Sequence, residues 1–105
     1  MTQEKIRNFY AREIEWSRRD IEFDNHQIEW LTKQIKREKE SIQNLREYVW
    51  SKGVLTDIEM KIWGDDKYET PEAKNYKNER NRYYKRRQKD IANLKKYERL
   101  LAEMQ

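Results

Sequence analysis

Isoleucine recurs every seven residues along the first half of the chain, at Ile14, Ile21, Ile28, Ile35 and Ile42, and Val49 continues the series. An α-helix returns a side chain to nearly the same face at that interval, so a sustained heptad of this kind marks a coiled-coil seam. With these residues at position a, position d holds Tyr10, Ser17, Asp24, Leu31, Glu38 and Leu45. Only half of that second row is apolar, and the seam is imperfect. Neither Gly nor Pro occurs between Gln3 and about Ser51, so the spacing predicts one helix over 3–51. At 1.5 Å per residue it is about 72 Å long and must lie against something for most of its length.

A second row runs on another face. Phe9, Trp16, Phe23 and Trp30 each stand two residues after an a position, about 200° around the helix. One partner helix cannot cover both rows. One is expected to pack on the chain's own second helix, and the other to form a homodimer interface or a face for a foreign partner.

The pattern breaks near Gly53. Thr56-Asp57-Ile58-Glu59 has the form of a capping box and predicts a short helix over 56–63, with Gly64 placed to end it. Residues 64–70 read as a loop. Thr70-Pro71-Glu72 is a helix start, with a hydroxyl at the N-cap, Pro where no donor is needed, and an acid near the positive dipole end. The last helix is predicted over 71–103. The expected fold is thus all-α, a single domain over 1–105 forming a long antiparallel coiled-coil-like hairpin with a short connector helix. A hairpin closing near residue 53 is expected to bring Met104 opposite residues 15–20 and to leave Ile6, Phe9 and Tyr10 on an uncovered overhang, an argument for a dimer.

Composition permits disorder, since 42% of residues are charged and Leu, Ile, Val and Phe together are only 19 of 105. Thirteen aromatic residues, two Gly and one Pro argue instead for an ordered helical chain. There is no Cys, hence no disulfide and no thiolate metal site. Nowhere do seven apolar residues run together, and the expectation is a protein of the cytoplasm without membrane contact.

Catalysis has little to draw on. His26 is the only histidine, four residues from both Glu22 and Trp30, the setting of a surface imidazole. Asp65-Asp66 with Glu69 lacks metal-loop spacing. No catalytic residue, metal site or cofactor is expected.

Charge is the informative asymmetry. Residues 1–70 hold 13 basic and 15 acidic groups, whereas residues 71–105 hold 11 and 5. The basic groups of the last helix, Lys77, Arg80, Arg82, Lys85, Arg86, Arg87 and Lys89, are interleaved with Tyr and Asn, a pattern suited to phosphate or to an acidic protein groove. Tyr76, Arg80, Tyr83, Tyr84, Arg87, Ile91, Leu94 and Leu101 share one stripe and are expected to pack, with Arg80 and Arg87 pairing a facing Asp24 or Glu38.

The expected function is that of a non-enzymatic binder of a nucleic-acid-handling complex. The many Lys, Asn, Ile and Tyr beside four Ala suggest AT-rich codons, as in phage or mobile-element products, a class that includes anti-CRISPR inhibitors of Cas nucleases. Direct nucleic-acid binding through the basic helix and a structural coiled-coil adaptor remain the alternatives.

Overall fold

The computed structural model describes residues 2–52, except for the side chains of 49–52, and residues 69–104. It is all-α and hairpin-like, with helix α1 over Gln3–Lys52 and helix α2 over Pro71–Glu103. The proposed connector helix and the loop before Glu69 lie outside the described residues. The chain divides into two compact units, one formed by Met1–Glu29 with Arg80–Gln105 and the other by Trp30–Glu79.

The helix ends follow local chemistry. Thr2 Oγ1 accepts the Lys5 amide at 3.4 Å, Glu4 sits in the first turn of α1, and the Thr2 carbonyl accepts the Ile6 amide. These satisfy donors that an α-helix leaves open at its start. At the other helix, Thr70 Oγ1 accepts the Ala73 amide at 3.0 Å and its hydroxyl donates to Glu38 at 3.1 Å. Pro71 fills the first helical position, where no amide donor is required. Thr70 therefore caps α2 and also ties it to α1 within the second unit. Thr70→Ala is expected to lower stability by about 1–2 kcal/mol, the upper part of the capping range because two bonds are lost. Denaturant melts check this, and a variant matching the parent would show that α2 does not depend on that cap.

The isoleucine face is the core. In the first unit Ile14 and Ile28 are buried with Ser17 and Asp24, and in the second Leu31, Ile42 and Ala73 are buried with Arg46. Leu31 retains 1% exposure. Leu45, which the heptad assigns to the seam, is 43% exposed, and the neighbouring Arg46 is buried instead. A straight helix has 3.6 residues per turn, so a strict seven-residue repeat drifts by about 20° each heptad. By the fourth repeat the buried line has passed from position d to the next residue.

Register corrects the expected overhang. In the first unit Tyr97 lies 6.2 Å from Phe9 and 6.0 Å from Tyr10 between ring centroids, and Tyr83 lies 6.2 Å from Phe23. The end of α2 therefore reaches the start of α1, and Ile6 and Tyr10 are half-buried. In the second unit Thr70 stands beside Glu38, not beside the end of α1. Ile6 and Tyr10 therefore do not form an uncovered overhang.

Candidate functional site

Two surfaces of the first unit carry the chemistry singled out in the sequence. The first is the outer side of α2. At 100° per residue, Arg82, Lys85, Lys89 and Lys96 fall within about 60° of one another and directly opposite the packed stripe. All four are exposed. No acidic residue interrupts that stripe between 82 and 96, because Asp90 lies on the packed side and is half-buried. The four cations span about 21 Å at the helical rise.

Lys96 also lies over the ring of its neighbour Tyr97, 5.4 Å from the centroid, and the other basic candidates have partners as well. Arg86 Nε lies 3.3 Å from Asp24 Oδ1 and 4.0 Å from Asp90 Oδ2, with its guanidinium 5.6 Å from the Phe23 ring centroid. Arg87 is half-buried, donates to Asn25 Oδ1 at 2.8 Å and lies over the Tyr84 ring. Arg80 is half-buried against the same ring. Lys77, in the second unit, pairs with Glu69. The expected pairing of Arg87 with Asp24 or Glu38 is not what forms, since Arg87 meets Asn25. Arginines at the centre of a seam are too long to end there and turn their heads onto Tyr84, whereas Arg86, at the seam's flank, reaches Asp24 across it. Glu38 is level with Thr70 and is engaged by its hydroxyl.

Asp24 is the most unusual residue of this unit. Its side chain has 0% exposure, at a seam position that a leucine would normally fill. Burial raises its pKa to about 6, aided by the adjoining Asp90 carboxyl and by Asp20, and opposed by Arg86. Two carboxyls and one guanidinium thus form an acid-rich knot between the helices.

The second surface is the aromatic row of α1. In the first unit Phe9, Trp16 and Phe23 are 45%, 53% and 46% exposed. Tyr97 and Tyr83 touch the first and third of these rings edge to face. Between those two tyrosines at the same seven-residue spacing, α2 carries Asp90 instead of a ring. In the second unit Trp30 is 51% exposed and meets Tyr76 edge to face. Phe9, Phe23 and Trp30 are therefore seated on tyrosines without being covered by them. Helical periodicity located this row and set Tyr76 and Tyr83 on the packed stripe of α2; Tyr97, which continues the seven-residue series Tyr76, Tyr83, Asp90 and Tyr97, was missed because the charge of α2 obscures that series.

His26 is exposed and lies 3.8 Å from Glu22. Among the described residues no group of three or more His, Asp or Glu could hold a metal ion, and no helix is long and apolar enough to cross a membrane. Asp65 and Asp66 lie outside the described residues. The chain matches no protein-family model, no curated protein and no solved structure.

Proposed function

We propose that this protein is a non-enzymatic binder that docks through the outer stripe of α2 onto the acidic or nucleic-acid-associated surface of a nucleoprotein complex. The observation that supports this reading is the stripe Arg82, Lys85, Lys89 and Lys96, four exposed cations in a row with no acid among them. Such a row costs repulsion within the helix, and an anionic surface relieves it while steering association. Tyr76, Tyr83 and Tyr97 pack on rings of α1 and Tyr84 lies under Arg80 and Arg87, so they are not offered as stacking platforms for single-stranded nucleic acid. That favours a charged protein or nucleoprotein surface over bare nucleic acid. Composition adds the phage-like character, and an anti-CRISPR type of inhibitor of a Cas nuclease is the sharpest form of the proposal.

The test replaces Arg82, Lys85 and Lys89 with Glu. Arg86 is left in place, because an acid there would join Asp24 and Asp90 and disturb the seam. Binding to guide-loaded Cas nucleases and to free duplex is measured across salt concentrations. The parent is expected to bind the nucleoprotein tightly and the duplex weakly, and the triple variant to lose about 100-fold or more with helical content unchanged. Equal binding by the variant would overturn the proposal. Tight, steeply salt-dependent binding to free duplex would support direct nucleic-acid recognition instead.

A further inference from the structure

The aromatic row of the first unit has a charge pattern that its exposure alone does not reveal. At 100° per residue, Arg12 and Arg19 form a line on one side of Phe9, Trp16 and Phe23, and Glu13 and Asp20 form a line on the other. The acidic line lies between the rings and the isoleucine seam. The basic line lies on the far side, where Arg12 and Arg19 are exposed.

We propose that this face is the contact between two copies of the chain, with the two α1 helices parallel and in register. A two-fold axis running along the helices places Phe9 on Phe9, Trp16 on Trp16 and Phe23 on Phe23. The same axis brings the basic line of one copy against the acidic line of the other on both sides of the rings, as flanking charges do in parallel coiled coils. An antiparallel pair instead sets Arg against Arg and acid against acid, so the charge pattern selects both the occupant and its direction. Phe9 and Phe23 are already oriented, because Tyr97 and Tyr83 hold them from beneath and Arg86 lies against the Phe23 ring, and these two rings have little side-chain freedom left to lose on association. The pair Arg19–Glu15, 2.7 Å apart with both side chains more than 60% exposed, is of the weak surface kind. It gives way when Asp20 of the second copy approaches. The outer stripe of α2 points away from α1 and stays open in such a dimer, so this contact is independent of the proposed target surface.

Sedimentation equilibrium at tens of micromolar tests the proposal, with circular dichroism to confirm that each variant is helical. The parent is expected to be a dimer. Replacing Trp16 with Glu should give a monomer. Replacing Arg12 and Arg19 with Glu should weaken association by about tenfold or more through like-charge contacts. Adding Glu13→Lys and Asp20→Lys to that variant should restore the dimer, which no merely structural role for these residues would do. Because the chain has no Cys, Phe9→Cys reports direction, since it forms an intermolecular disulfide on air oxidation only if the two positions 9 are adjacent. A monomeric parent, a dimer indifferent to Trp16→Glu, failure of the charge exchange to restore association, or a dimer that never cross-links at position 9 would each overturn the proposal.

Discussion

Replacing Leu31 with alanine is expected to destabilise the protein by about 3 kcal/mol, more than any other single truncation of the seam. Leu31 is the most completely enclosed aliphatic side chain among the described residues, at 1% exposure. Its removal leaves a void that two rigid helices close poorly. A core with this few aliphatics supplies only about 3–5 kcal/mol in total, so the loss is a large part of the whole. The melting temperature should fall by roughly 10–20 °C. Ile28, 8% exposed, should cost about 2 kcal/mol when cut to alanine, and the half-buried Ile35 less, about 1–2 kcal/mol. If the Leu31 and Ile28 variants melt with the parent, the isoleucine face is not the core.

Asp24→Asn is expected to act in the opposite direction and only at the upper end of the pH range. The carboxyl is enclosed between the helices and faces Asp90 and Arg86 from α2 and Asp20 from its own helix, and its pKa is raised to about 6 from an ordinary 3.8. The folded state thus holds this proton more tightly than the unfolded chain. As pH rises from about 4 to about 6 the unfolded chain gives up the proton first, and stability falls through that window. Above it the buried charge costs about 2–3 kcal/mol, the energy of a shift of about two pKa units. Asparagine keeps the shape and removes the charge. It should raise stability by about 2 kcal/mol at pH 8 and change little at pH 4. The difference between parent and variant in melts from pH 4 to pH 8 isolates this group from the other carboxylates. A difference that stays constant with pH would show that Asp24 is not held protonated by the seam.

These two residues illustrate how much of the hairpin can be read from the chain. Leu31 falls at position d of a heptad visible in the sequence, and Asp24 falls one heptad before it in the same row. Pattern alone predicts that both face the second helix. It does not predict that Asp24 is fully enclosed or that Arg86 is the residue that meets it. Those outcomes depend on the stagger of one helix along the other, which brings Arg86 level with Asp24.

The candidate surfaces divide in the same way. Helical period and charge run along the chain, so the aromatic row of α1, the basic bias of α2 and the start of α2 at Thr70-Pro71 are all legible as spacing. Which cations are held by α1 is a matter of reach between helices. Arg82, Lys85 and Lys89 point outward, whereas Arg86, itself exposed, is drawn to Asp24 and Arg87 to Asn25. Likewise no spacing rule on α1 shows that Tyr83 and Tyr97 support Phe23 and Phe9. Local pattern decided that the chain makes two amphipathic helices, because side-chain periodicity is a property of one helix. Tertiary packing alone decided the register, the buried acid and the exposed stripe, because each depends on distances between residues separated by roughly thirty or more positions in sequence, which no local rule encodes.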